Sequence, residues 1–175
     1  LVFPGHKHVS MAVAVPDIAD RLVTLVATTK TFNIAGAMVG SAIIADPALR
    51  AKFQQVFDAI STHVNLYGML MAEAAYRHGD EWLESLMHYL DENRRLFDAG
   101  IHAIPGLKSM RMDATYLAWV DFAGTGMALD EIRRRIEKDA KIAANHGDSF
   151  GAGGESFMRF NLATQRANVV EAVAR

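Results

Sequence analysis

Cysteine is absent from the 175 residues. This excludes disulfide stapling and thiolate metal sites, and it agrees with a cytoplasmic address. The chain also lacks an excess of charge of either sign. Its 18 Lys and Arg stand against 20 Asp and Glu, for a formal net charge of −2. That balance supplies no cationic field to gather nucleic acid or anionic lipid, and it points to a small partner of mixed charge. Long apolar runs are missing too. Residues 11–15 and 22–27 fall far short of the roughly 20 residues a membrane-spanning helix needs, and Pro16, Asp17, Asp20 and Arg21 interrupt the region. There is no internal repeat and no low-complexity linker. What remains is a chain that is 51% apolar, enough for an ordinary core. It begins at Leu1 rather than Met, so sequence upstream is expected.

Residues 22–27, Leu-Val-Thr-Leu-Val-Ala, form a short β-branched run. The run predicts a strand buried on both faces of a largely parallel sheet. Lys30 would stand at its C-terminal end, where ligands of open α/β sheets gather. Residues 36–45, with Gly36 and Gly40, read as a second strand. Asp46-Pro47 predicts a helix start, an N-cap followed by a proline whose missing N–H would lack a partner anyway. Leu49, Phe53, Val56, Phe57 and Ile60 then recur at helical spacing. A further helix covers residues 66–76, and Asp80 caps a long one carrying Leu83, Leu86, Leu90 and Phe97. Pro105-Gly106 ends the helical region. Residues 107–112 and 115–122 read as a hairpin around Asp113, followed by a helix through Leu129, Ile132 and Ile136. Residues 157–162 predict the last strand, before a terminal helix from about Arg166. The fold class is therefore mixed α/β. An incomplete large-domain sheet occupies residues 1–78, and a linking helix with a small α+β domain occupies residues 79–175.

Few residues are candidates for chemistry. Lys30 lies between an apolar strand pattern and the string Thr31-Phe-Asn-Ile-Ala-Gly36, where a charged side chain needs a reason to remain. Arg159 shares one strand face with Phe157 and Asn161, while Met158, Phe160 and Leu162 take the other. Its planar fork suits a carboxylate, as a salt-bridge partner or a ligand. His6 and His8 flank Lys7, but no third ligand stands at useful spacing, so no metal site is expected. Arg133, Arg134 and Arg135 are surrounded by Asp130, Glu131, Glu137 and Asp139, which marks a solvated helix face. Gly151, Gly153 and Gly154 lack the strand–turn–helix context of a nucleotide cradle and read as a flexible turn.

Two stretches carry a resemblance. Thr28-Thr29-Lys30-Thr31-Phe32-Asn33-Ile34-Ala35-Gly36, with residues 1–8 before it, resembles the cofactor-lysine segment of the class I/II aminotransferases, fold-type I enzymes that use pyridoxal phosphate. Within them it is most similar to the cystathionine beta-lyase-like carbon–sulfur lyases. Phe150-Gly-Ala-Gly-Gly-Glu-Ser-Phe-Met-Arg159-Phe-Asn-Leu-Ala163 resembles the family's glycine-rich turn and the strand bearing its carboxylate-binding arginine. Residues 115–122 look like its small-domain strand. The resemblance implies a Schiff-base role for Lys30, hydroxyl contacts from Thr28 or Thr29 to the cofactor phosphate, and an amino-acid substrate held by Arg159. It also implies a homodimer. A free lysine amine is almost wholly protonated at neutral pH, so imine chemistry requires surroundings that favour the neutral form. At residues 163–166 the chain has Ala-Thr-Gln-Arg where the lyases tend toward Cys-Pro-Arg. The family's aspartate for the pyridine nitrogen, its phosphate-cradling turn and its ring-stacking aromatic belong to a missing N-terminal half. The chain alone is therefore expected to be catalytically deficient and to hold cofactor poorly. Transamination and β-elimination stay open, as does a noncatalytic interaction or scaffold role.

Overall fold

The computed structural model describes all 175 residues, which divide into two compact units: Lys7–Ser85, and Leu1–His6 with Leu86–Arg175. In the first unit, α1 (Met11–Ala14) and a 3-10 segment (Pro16–Arg21) lead to β1 (Thr24–Val26). The short α2 (Thr28–Thr31) and a 3-10 turn (Ala35–Ala37) precede β2 (Ser41–Ile43). Helices α3 (Pro47–Ala59) and α4 (Leu66–His78) follow. The start of α3 is as expected: Asp46 Oδ1 accepts from the Leu49 amide at 2.7 Å, with Pro47 in the first turn. Asn65 does the same for α4, accepting from the Tyr67 amide at 3.1 Å.

Three expectations for this unit are corrected. β1 is not a buried strand of a parallel sheet; it pairs antiparallel with β2, Thr24 opposite Ile43 and Val26 opposite Ser41, and Leu25 is 73% exposed. A parallel return needs a crossover, usually a long helix. Residues 27–40 are instead spent on short turns, so the chain doubles back. The second strand is three residues long rather than ten, because Met38 takes a left-handed φ of +47° and breaks the extended run. Lys30 does not stand at the strand end but one helical turn beyond it. The two strands remain as unaccompanied as their number suggested. The buried apolar side chains of this unit are Ala37 and Ile44, while Met11, Val13, Phe53, Val56, Leu66 and Met71 are all exposed.

Helix α5 (Asp80–His102) runs on into the second unit, which has a core of its own. Its sheet has the order β3-β4-β6-β5 and is antiparallel throughout. The strands are β3 (Lys108–Ser109), β4 (Leu117–Asp121), β5 (Asn145–His146) and β6 (Phe157–Asn161). α6 (Leu129–Arg134) continues into a π-helical turn (Arg135–Asp139), and α7 (Arg166–Ala174) closes the chain. One sheet face buries Ala118, Val120, Met158 and Phe160 against Leu90, Phe97 and Ile101 of α5. Phe97 and Phe160 stand 5.6 Å apart between ring centroids. The hairpin around Asp113 is present, although its first strand is shorter than residues 107–112. The triple arginine is a salt-bridged helix face. Arg134 and Arg135 both bond Glu131, and their hydrogen bonds hold its carboxyl down at about 2; Arg133 reaches Asp148 at 2.6 Å.

Asn93 is the fully buried polar member of this core. Its side-chain amide donates to the carbonyls of Leu162 and Thr164, both at 3.0 Å, and its oxygen accepts from Arg166 Nε at 3.3 Å. One side chain thus ties α5 to the exit of β6 and the start of α7. Asn93→Ala takes this donor from the buried Leu162 carbonyl and the partly buried Thr164 carbonyl, and we expect it to destabilise the second unit by about 1–3 kcal/mol. Urea unfolding followed by circular dichroism measures this; an unchanged midpoint would count against the tie.

Candidate active site

The lysine segment is built on one turn of helix. Backbone hydrogen bonds from the amides of Lys30 to Ala27, Phe32 to Thr28 and Ile34 to Thr29, at 3.0–3.2 Å, fix residues 27–34. Thr28 and Thr29 are buried, whereas Lys30 is exposed and has no carboxylate within 4.0 Å. The turn is held from its C-terminal side. Phe32 meets Tyr76 edge-on at 6.0 Å and Trp82 at 6.0 Å, and it lies so close to Gly79 that an added Cβ would come within 2.4 Å of its ring. Asn33 and Met38 take left-handed backbone, and Asn65 Nδ2 donates to the Ala37 carbonyl at 3.4 Å. Phe32 and its aromatic clamp were not singled out from sequence. The signal was present, in an aromatic two residues after a lysine and a glycine between two helices.

The arginine lies in the other unit. Arg159 sits on the inner strand β6, opposite Trp119 of β4 and Asn145 of β5. Its alternation is as expected, with Met158 and Phe160 buried and Arg159 on the opposite face. The guanidinium donates from Nη2 to Asn145 Oδ1 at 3.0 Å, and its Cζ lies 4.5 Å from the centroid of the Phe150 ring. Nε is buried and has no hydrogen-bond partner. Arg159 and Arg50 are the arginines outside every ion pair, and Arg50 instead donates to the carbonyls of Ile44 and Ala45. A structural salt bridge is thus not what keeps Arg159 in place. Asp148, two residues from Phe150, is engaged by Arg133, which holds its carboxyl below the usual range. Trp119 stacks on Phe157 at 5.3 Å and meets Phe150 edge-on at 5.5 Å.

The glycine-rich turn is not a loose one. Gly147 and Gly154 press together so closely that a Cβ on either would stand 2.1–2.2 Å from the other's carbonyl oxygen. Asn145 and Phe150 were missed from sequence. β5 is two residues long, too short for any period to register, and Phe150 lies in a turn. His6 pairs with Asp113 at 3.5 Å, and no group of three or more His, Asp or Glu stands where it could hold a metal ion. No helix is long and apolar enough to cross a membrane.

No family model matches the sequence. Similarity to individual proteins is extensive. The chain is 36% identical over 177 residues to cystathionine beta-lyase PatB of Bacillus subtilis (strain 168), a match that takes in 100% of this chain and 46% of that protein. To a cystathionine beta-lyase of Corynebacterium glutamicum it is 31% identical, with the same two coverages. Among solved structures, cystalysin from Treponema denticola, which contains a pyridoxal 5'-phosphate cofactor, superposes with a TM-score of 0.93 at 30% identity. The superposition covers 99% of this chain and 45% of that one. The chain spans about half the length of the curated relatives it matches.

Gly79 gives the test of the lysine clamp. Replacing an unstrained glycine with alanine ordinarily stabilises, by about 0.4–1 kcal/mol. Here the methyl collides with Phe32 and with the Ala75 carbonyl at 2.4 Å. G79A is therefore expected to destabilise, and to change the near-ultraviolet circular dichroism of Trp82. A rise in stability would remove the clamp.

Proposed function

We propose that this chain, which belongs to the aminotransferase-like, pyridoxal-phosphate family that includes the cystathionine beta-lyases, carries the lysine and the carboxylate-binding arginine of an enzyme acting on amino acids. The reaction is β-elimination at a carbon–sulfur bond, the reaction for which the curated relatives at 36% and 31% identity are named. The observation that carries this reading is the state of Arg159. Its guanidinium is fixed on a sheet, flanked by Asn145 and an aromatic ring, and left without an anion. Burying a guanidinium donor without an acceptor is costly, and an α-carboxylate supplies one with matched geometry.

The residues present suit the cofactor as well. Lys30 offers a primary amine free of any carboxylate, on a turn whose backbone is fixed. When bound, pyridoxal phosphate supplies the electron sink that lets the Cα–H bond of an amino acid ionise. Lys30 is the residue that would hold the cofactor, and its amine would move the proton at the substrate Cα. Arg159 fixes the substrate through its carboxylate, which restricts the orientation of the Cα–H bond. Thr28 and Thr29, immediately before the lysine, offer hydroxyls for the phosphate. The partners proposed are the amino-acid substrate, a polypeptide half completing the first unit, and a second copy forming a homodimer. The exposed apolar faces of β1, β2, α3 and α4 support a covering polypeptide.

The test uses a polypeptide in which these residues are joined to a complete large-domain half. Borohydride reduction with pyridoxal phosphate should place the pyridoxyl label on the peptide containing Lys30, and K30A should remove it. Cystathionine should yield pyruvate, ammonia and homocysteine. R159A should weaken amino-acid binding by about 2–5 kcal/mol, the usual cost of truncating one side of a buried charge pair. Label on another lysine, or unchanged affinity in R159A, would overturn the assignments; a keto acid that retains the sulfur would mean transamination.

A further inference from the structure

An arginine that meets no acid needs something else to hold its long side chain, because an unrestrained fork must be ordered each time a ligand binds. Two acids of the flanking segments, Asp148 and Asp121, are already engaged. Asp148 binds Arg133, and Asp121 accepts from the Ser156 hydroxyl at 2.7 Å and the Ala123 amide at 2.9 Å. The neutral groups that touch the guanidinium are Asn145, at one edge, and Phe150, at one face. Phe150 is 53% exposed, so packing into the core does not account for its position. Its position is nonetheless built. It ends the 3-10 turn Gly147–Phe150, whose first residue is locked against Gly154, and the next residue, Gly151, adopts a φ of +119° that favours glycine. Trp119 meets the same ring edge-on.

We propose that Phe150 is a positioning residue for Arg159. Its ring face attracts the cation and covers one side of the guanidinium plane, while Asn145 occupies one N–H of Nη2. The fork is then held in a single plane, and its remaining donors, the unpartnered Nε–H among them, are left for a carboxylate. The glycine-rich turn exists in this view to seat an aromatic ring. The inference deepens the role given to Arg159 and rests on it only for the identity of the ligand.

The experiment follows the Arg159 Nε–H signal in the ¹⁵N-labelled 175-residue chain, assigned by its loss in R159K. Two quantities are read: exchange of that proton with water, and its shift on titration with sodium acetate against sodium chloride at equal ionic strength. In the wild-type chain we expect slow exchange and a saturable shift with acetate. F150A should exchange faster and bind acetate roughly three- to tenfold more weakly. F150Y, which keeps the ring, should restore both. F150L, which keeps bulk without the ring's charge distribution, should not, and it serves in place of F150A if that variant loses the amide pattern of β4 and β6. Unchanged exchange and affinity in F150A, or rescue by F150L equal to that by F150Y, would overturn the proposal. Faster exchange in F150A with no acetate shift in wild type would uphold the role of Phe150 and refute the carboxylate role of Arg159.

Discussion

Strand β6 has one face committed to the core, and most of what is special about the second unit depends on that commitment. Met158 and Phe160 fill the space under α5, so the residue between them must face away. A slip of one position would bury a guanidinium and expose both apolar side chains, which the period of two makes prohibitive. The register is pinned on both sides, by five paired positions with β4 and two with β5. Arg159 therefore inherits its direction from hydrophobic burial. Its neighbours Trp119 and Asn145 are set by the same ladders. Asn93 adds a polar anchor where β6 leaves the sheet, so the strand is tied to α5 beyond its last residue by side-chain hydrogen bonds as well as by packing.

The lysine unit reaches a defined local geometry by a different route. It has almost no buried apolar side chains, so its turn cannot draw rigidity from a core of its own. Residues 27–34 are fixed instead by consecutive backbone hydrogen bonds and by one aromatic wedge. Phe32 packs where Gly79 leaves room, and the two threonines before Lys30 turn inward while the lysine turns out. Burial of Thr28 and Thr29 with exposure of Lys30 needs only a single helical turn. The bare faces of β1, β2, α3 and α4, with Leu25, Phe53, Val56 and Leu66 exposed, are the counterpart of that economy.

What could be read from the sequence follows the range of the forces involved. The start of α3 was legible because Asp46 and Pro47 act on the three residues after them. The faces of β6 and the stripe of α5 were legible because burial imposes a period, and the terminal helix from Arg166 because the last strand fixed what came before it. The direction of β1 and β2 was not, since the apolar run of residues 22–27 reports burial without saying which neighbour supplies it. Here no neighbour in this chain does, and the run is exposed. Asn145 and Phe150 escaped for a related reason. A two-residue strand has no period, and an exposed aromatic on a turn obeys none. Lys30 and Arg159 were singled out through a resemblance, with residue type and face as support.

The contrast between Arg133 on α6 and Arg159 on β6 shows how one unit can hold a paired arginine and an arginine without an acid. Arg133 has its charge matched by Asp148, although its Nε too is buried without a partner, and a charge pair of that kind is closed to a third party because any incoming anion must first displace a carboxylate. Arg159 is held by an amide oxygen and a ring face, neither of which carries a formal charge. Such partners restrict the fork without neutralising it, and the positive charge stays available to a ligand. Asp148, in the same 3-10 turn as Phe150, is itself engaged by Arg133.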